Sequence, residues 1–232
     1  MAIGFIGTGN MGSPMALNLI NAGYSVVSFD RSDKALESIK AVNGVIASSL
    51  QELAMTAETV ITMLPTGDDV RKVYENEGGV IESVADNTLL IDCSTIDVEN
   101  AQIVAKKASV RGLQMVDAPV SGGVTGAEAG TLTFMVGGSS EALERSRPLL
   151  ATMGQNIVHA GKSGSGQAAK LCNNMMLGIS MIATSEAFTL GQKLGLDPKT
   201  LFKIISTASG SCWAMQNHLP IPGIVENAAS NA

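Results

Sequence analysis

The sequence predicts an α/β chain in two parts, a doubly wound sheet followed by an all-helical segment. Three observations predict it. Short apolar, β-branched runs alternate with helical patterns from Ala2 to His159, as βαβ units of a mostly parallel sheet do. A glycine-rich turn, Gly7-Thr8-Gly9-Asn10-Met11-Gly12, follows the first run at once. From Gly164 the strand-like runs stop, and Gln167–Leu194 reads as one helical pattern, roughly 40 Å long at about 1.5 Å per residue.

In chain order, Ala2–Ile6 is an apolar strand, and a helical pattern through Met15, Leu17, Leu19 and Ile20 runs to Gly23. Strand Ser25–Phe29 then ends in Asp30. Strand, glycines, helix, second strand and terminal acid together form a Rossmann-type dinucleotide fingerprint. The first glycine makes the turn, the second lets the backbone approach a pyrophosphate, and the third lets helix and strand pack. The helix N-terminus offers N–H groups and positive dipole to phosphates. Asp30 lies where an acid accepts hydrogen bonds from an adenosine ribose, which points to NAD. Arg31 beside it either attracts the 2′-phosphate of NADP or is a solvated loop residue.

The pattern repeats with helix Lys34–Ala41, strand Gly44–Ala47, helix Leu50–Met55 and strand Thr59–Met63. Leu64-Pro65-Thr66 follows, and Pro65 stops the strand because proline cannot donate to a ladder. Strand Leu89–Ile91 ends in Asp92-Cys93-Ser94-Thr95, ahead of a helix from about Asp97 to Ala108. Ser94 or Thr95 either bonds a ligand at the sheet's carboxyl edge or caps that helix. Strand Gln114–Asp117 leads to Ala118-Pro119-Val120-Ser121-Gly122-Gly123, which is either a seat of backbone N–H groups for a carboxylate or an ordinary loop. Strand Thr131–Val136, helix Glu141–Leu150 and strand Ile157–His159 complete the sheet. Residues 1–162 are therefore read as a dinucleotide-binding domain and 163–232 as a helical one.

In the helical part, Gly164-Ser165-Gly166 reads as a flexible turn into the long helix. Met175, Met176, Ile179, Met181 and Ile182 are expected in its core. Gly195 ends the helix, and Pro198 opens the next one, with Leu201, Ile204 and Ile205 expected to be buried. Ser209–Trp213 reads as a loop or helix break, and Leu219–Ala232 as a tail with few periodic apolar residues.

Composition narrows the function. The 232 residues are 45% hydrophobic and 16% charged, enough for a substantial core. A net charge of −6 argues against nucleic-acid or acidic-membrane partners. Cys93, Cys172 and Cys212 form no CxxC pair and fit a reducing compartment. With a strand opening the chain at Ala2, the expected location is the bacterial cytoplasm, the mitochondrial matrix being the alternative. The most apolar stretch, Leu171–Leu190, carries Asn173, Asn174 and Glu186 and reads as a buried helix, not a membrane span.

Several dehydrogenase designs are missing. Neither Tyr24 nor Tyr74 has a lysine four residues on, and His159 and His218 have no metal-ligand partners at suitable spacing, so no metal is expected. Lys170 remains as the acid/base candidate. Lys170 and Asn174 are four apart and share a helix face. They are either a proton-transfer group with its positioning partner or a snorkelling lysine beside a tolerated amide. A partly buried lysine near a nicotinamide has a lowered pKa, which suits proton exchange near neutral pH.

Phe5–Ala16, Ile61-Thr62-Met63-Leu64-Pro65, Ile91–Thr95, Asp117–Gly123 and Gly164–Asn174 together resemble the successive signature blocks of the β-hydroxyacid dehydrogenases, in the same order. The resemblance covers essentially the whole chain. It implies a Rossmann domain followed by a 6-phosphogluconate dehydrogenase-like helical domain, here incomplete, because the family's helical part runs on past the equivalent of Ala232. It implies that Gly7, Gly9, Asn10, Met11 and Gly12 hold the pyrophosphate and Asp30 the ribose. Leu64, Pro65 and Thr95 would line the nicotinamide side. Ser121, Gly122 and Gly123 would grip the substrate carboxylate, with Lys170 as acid/base and Asn174 orienting lysine and substrate. The implied reaction is NAD-dependent oxidation of a small 3-hydroxy acid, 3-hydroxyisobutyrate to methylmalonate semialdehyde, as in valine breakdown. NADP stays open as cofactor. The same-family alternative is reduction of tartronate or succinic semialdehyde, and the alternative of another class is a non-catalytic dinucleotide-binding fragment. A homo-oligomer, dimer or tetramer, is implied for the family's full-length form.

Overall fold

The computed structural model describes residues 2–225. It divides into two compact units, Met1–Lys170 and Leu171–Ala232; the last part of the expected tail lies outside the described residues.

The first unit opens with β1 (Ala2–Ile6), α1 (Gly12–Asn21) and β2 (Ser25–Phe29). A 3-10 turn at Asp33–Leu36 runs into α2 (Glu37–Ala41), then β3 (Val45–Ile46), α3 (Leu50–Thr56) and β4 (Thr59–Thr62). Next come α4 (Gly67–Glu75), α5 (Val80–Ser83), β5 (Leu89–Asp92), α6 (Val98–Val110) and β6 (Gln114–Asp117). β7 (Val120–Ser121), α7 (Gly123–Glu128), β8 (Leu132–Gly137), α8 (Ser140–Met153) and β9 (Gly154–Gly161) complete the sheet.

The strands lie in the order β3-β2-β1-β4-β5-β6-β8-β7, with β9 beside β8. Pairing is parallel from β3 to β6, antiparallel where β8 meets β6 and β7, and parallel again between β8 and β9. The winding direction reverses between β1 and β4. That switch point opens a crevice outside the carboxyl ends of the strands.

Period-two alternation sends successive strand residues to opposite faces. Ile3, Phe5, Ile61 and Ile91 bury one way, against Met15 and Leu19 of α1 and Leu149 and Leu150 of α8. Ile6, Val60 and Leu90 bury the other way, against Leu53, Val70, Tyr74 and Val104. Each such fully buried side chain contributes about 1.5–3 kcal/mol by leaving water. Helix α4, which the sequence reading passed over, starts at a cap: the Thr66 hydroxyl accepts the Asp69 N–H at 3.1 Å.

Helix α9 (Ser165–Lys193) begins in the first unit and continues in the second, which also holds α10 (Pro198–Ser206) and α11 (Trp213–His218). There Phe188, Met215 and Leu219 form a small core, with Leu201, Phe202 and Ile205 packed against it. Two expectations fail here. Met175, Met176, Ile179, Met181 and Ile182 are 43–69% exposed, not core. The second unit's core meets α9 only further along, at Phe188, so the earlier turns keep an apolar surface. Likewise Ile204 is 54% exposed, and Leu201 and Ile205 are only half-buried. Trp213, expected in a loop, starts α11, and Cys212 precedes it in extended geometry. Among the described residues no helix is long and apolar enough to cross a membrane.

Candidate active site

At the switch point a cleft of about 580 Å³ is lined by Gly7, Gly9, Asn10, Met11, Gly12, Asp30, Leu64 and Pro65, among others. Pockets of roughly 300–1,000 Å³ take small molecules and cofactors. Each glycine of the turn answers a different local demand. Gly7 has φ +92°, which only glycine adopts without strain. A Cβ on Gly12 would collide with the Gly7 carbonyl oxygen and stand 3.2 Å from Phe5 Cε1. A Cβ on Gly9 would meet nothing within 4 Å, so the space above this residue is free for a ligand.

The turn is braced from beneath. The Gly7 N–H donates to the Phe29 carbonyl at 3.0 Å. Asp30 Oδ2 accepts the Thr8 N–H at 2.8 Å, and Oδ1 accepts the Ser32 N–H at 2.9 Å. No side chain caps α1. Pro14 has no N–H, and the Ser13 and Met15 N–H groups donate to the Gly9 and Met11 carbonyls at 2.9 and 3.4 Å, so it is the Gly12 N–H at the very start of the helix that stays open to an anion. The buried hydroxyls Thr8 Oγ1 and Ser13 Oγ have no protein partner among the described residues. Open space over Gly9, an uncapped helix start and an acid at the end of β2 fit a dinucleotide. Arg31, largely exposed at the cleft, forms a 3.2 Å ion pair with Asp69, on α4.

The opposite wall hangs on Asp92, at the end of β5. Its Oδ1 accepts from Thr62 Oγ1 at 2.7 Å and from Ser94 Oγ at 2.6 Å. Because Ser94 donates there, its oxygen is left to accept the Leu64 N–H at 2.8 Å. The Tyr74 hydroxyl extends the chain to Thr62 at 3.1 Å. Burial raises the Asp92 carboxyl to about 6, against the pull of the Ser94 and Thr62 bonds, and the negative charge of Asp117 adds to the rise. Asp92 Oδ2 has no partner among the described residues. Ser94 is thus neither a ligand group nor a helix cap: it is fully buried and joins two loops. The cap of α6 is Asp97, whose side chain accepts the Asn100 N–H at 2.8 Å. Thr95 itself is exposed.

Beside Asp92 in the sheet, Asp117 receives the start of α9. Its Oδ1 accepts the Gly164 N–H at 2.7 Å, and Oδ2 accepts the Gln167 N–H at 3.0 Å. Burial pushes the Asp117 carboxyl up, while these bonds from the helix start oppose the rise. The expected flexible turn is in fact tightly fitted. Gly164 has φ +86°, and a Cβ on Gly166 would sit 2.7 Å from the Asp117 carbonyl oxygen. Lys170 follows one turn later, half-buried, and that burial lowers its ammonium pKa.

The cleft brings together the glycine turn, Asp30, Leu64 and Pro65. Lys170, Thr95, Ser121, Gly122 and Gly123 do not line it. Ser121 is half-buried at the end of β7, and Gly122 and Gly123 are exposed with φ +137° and +63°. Asn174 is exposed on α9, within the second unit. The sequence reading missed Asp92, Asp117 and Gln167. Each lies within a quoted block, but only the fold shows that their side chains point inward and join loops.

Residues 2–161 match the family model described as the NAD-binding domain of 6-phosphogluconate dehydrogenase. Residues 164–230 match the one described as NAD-binding of NADP-dependent 3-hydroxyisobutyrate dehydrogenase. The chain is 50% identical to a 3-hydroxyisobutyrate dehydrogenase of Pseudomonas aeruginosa, over 99% of this chain and 77% of the relative. It is 47% identical to an NAD-dependent L-serine dehydrogenase of the same organism, with the same two coverages. Among solved structures, the Mycobacterium tuberculosis 3-hydroxyisobutyrate dehydrogenase with L-serine superposes with a TM-score of 0.91 at 47% identity, over 98% of this chain and 77% of the other.

Proposed function

This chain belongs to the 3-hydroxyisobutyrate dehydrogenase family of the β-hydroxyacid dehydrogenases and is an NAD-dependent oxidoreductase, and from that premise we propose that it oxidises 3-hydroxyisobutyrate to methylmalonate semialdehyde. The cleft over Gly9 carries the reading, because its volume, the open space over Gly9 and the acid at the end of β2 support a dinucleotide there. The chemistry that NAD would supply when bound is that of an acceptor for the hydride of the carbinol carbon. The residues of this chain do the rest. The glycine turn and the first turn of α1 hold the pyrophosphate, and Asp30 holds the ribose. Leu64, Pro65 and Thr95 face the nicotinamide side. Ser121, Gly122 and Gly123 hold the substrate carboxylate. Lys170, whose ammonium pKa is lowered by burial, accepts the hydroxyl proton as the carbonyl forms. Asn174, four residues on, orients the lysine and the substrate. Fixing both reactants supplies much of the rate.

The 47% identity to an L-serine dehydrogenase favours a second reading on the same chemistry, since L-serine is also a small 3-hydroxy acid. Steady-state kcat/KM for 3-hydroxyisobutyrate, L-serine, tartronate semialdehyde and succinic semialdehyde, each with both cofactors, tests the assignment. The largest value is expected for 3-hydroxyisobutyrate with NAD. A dominant NADP preference, or a larger value for L-serine or for either semialdehyde, overturns it.

We further propose a homo-oligomer in the bacterial cytoplasm, the mitochondrial matrix being the alternative. Exposed Leu171, Met175, Met176, Ile179 and Ile182 follow one another along α9, and contiguous exposed apolar surface of this kind marks interaction sites. A monomeric mass by light scattering sinks the oligomer.

A further inference from the structure

Gln167 lies in the first turn of α9, three residues before Lys170, and is 1% exposed. The reaction as written gives it nothing to do, yet every polar group of its side chain is used. Its Nε2 donates to the Ser94 carbonyl at 2.7 Å, and its Oε1 accepts the Ile96 N–H at 3.1 Å. Those two backbone groups flank Thr95. Its own N–H is fixed on Asp117 at 3.0 Å, and the close approach of Gly166 to Asp117 leaves that turn no slack. On the far side of the same loop, Asp92 and the Ser94 hydroxyl carry the link on to the Leu64 N–H.

We propose that Gln167 is a positioning residue: its amide locks the Thr95 loop, and through Ser94 the Leu64 loop, in fixed register with the helical turn that carries Lys170. The inference rests on the reading of Lys170 as the acid/base. The chemistry explains the residue type. The clamp needs one donor and one acceptor on a single planar group, spaced to span the Ser94 carbonyl and the Ile96 amide. Methionine fills the same volume and supplies neither. A glutamate carboxylate supplies two acceptors and sets a negative charge against the Ser94 carbonyl, whereas a protonated glutamate restores the donor–acceptor pair. The titratable groups on the elements packed against a carboxyl introduced here are Asp117 on β6, Asp92 on β5 with Cys93 after it, Asp97 next to Ile96, and Lys170 on α9. Burial and the acids favour protonation, whereas the lysine, the Ile96 N–H bond and the N-terminal end of α9 oppose it.

The test compares kcat with saturating NAD for Gln167→Met, Gln167→Glu and Lys170→Ala, each as a ratio to the unsubstituted chain at the same pH. Gln167→Met is expected to lose about a hundredfold in kcat, as a misplacement of about 1 Å does, with little change in NAD affinity and the same ratio at every pH. Gln167→Glu should match it at about pH 8 and recover toward the unsubstituted chain near pH 5.5, as the carboxyl takes up a proton. Amide hydrogen exchange at Ile96 should quicken in Gln167→Met, while Leu90 and Ile61 stay protected. A Gln167→Met enzyme with normal kcat and normal Ile96 exchange overturns the proposal, and so does a Gln167→Glu ratio that ignores pH. Should Gln167→Met fail to fold, the Gln167→Glu titration decides alone. Full turnover in Lys170→Ala beside a crippled Gln167→Met would sink the lysine reading and leave the clamp standing. An inactive Lys170→Ala beside an unaffected Gln167→Met would do the reverse.

Discussion

Putting alanine separately at Gly9 and at Gly12 adds the same methyl group three residues apart, yet the two should fail in opposite ways. At Gly12 the new Cβ runs into the Gly7 carbonyl oxygen, with the carbonyl carbon 3.0 Å away and Phe5 Cε1 at 3.2 Å. A backbone carbonyl cannot rotate aside as a side chain can, so strand and helix must separate. Overpacking of this kind costs about 3 kcal/mol, the upper end of its usual range. For a chain of this size that lowers Tm by about 6–12 °C. At Gly9 the methyl meets nothing within 4 Å, so stability should stay within about 0.5 kcal/mol. The methyl would instead occupy the place of the pyrophosphate. Pushing the phosphates off two charge-assisted N–H bonds costs about 3 kcal/mol, or roughly a hundredfold in NAD affinity. Thermal unfolding and NADH fluorescence titration measure both quantities on each variant. Unaltered NADH affinity in a well-folded Gly9→Ala would refute the placement of the cofactor over this turn.

Asp30→Ala should weaken both cofactors, because Thr8 loses its brace, but NAD by more than NADP; equal losses would deny the carboxylate a ribose. Releasing Arg31 with Asp69→Ala should strengthen NADP by up to about fivefold and leave NAD alone, within the worth of an exposed ion pair, and unchanged NADP binding would mean the pair restrains nothing. For Asp92, burial lifts the folded-state pKa to about 6, above the 3.8 of a free aspartate side chain. Its stabilising contribution is therefore full below about pH 4 and lost as pH rises through 6, a change of about 3 kcal/mol. The unfolding free energy of the unsubstituted chain minus that of Asp92→Asn should fall by this order between pH 4 and 7; a flat difference would show that burying this charge has no cost.

The dinucleotide half was legible because its signals are local. Gly7, Gly9 and Gly12 state their roles by spacing, and the alternation in Ile3-Gly4-Phe5-Ile6 states which faces are buried. Even the strand ends at Phe29 and Asp117 fall where the pattern puts them. What was not legible depends on contacts distant in sequence. Asp92, Ser94 and Gln167 look like ordinary loop-edge polar residues until the fold sets residues 94 and 167 within one hydrogen bond. The apolar run in α9 reads as core because hydropathy carries no information on whether a neighbour arrives, and from Leu171 to Ile182 little covers it. Helix α4 escaped notice for a related reason. Among its many charges only Val70 and Tyr74 are large, apolar and fully buried.

The central claim is that an amine set in the second turn of α9 moves the substrate proton and takes no part in securing the nucleotide. Turnover and NADH affinity, measured together on Lys170→Ala, test it most directly. Loss of about a hundredfold to ten-thousandfold in kcat, the usual worth of a general acid/base, with NADH held as tightly as before, is the predicted result. Undiminished turnover, or NADH affinity lost in step with activity, would contradict it.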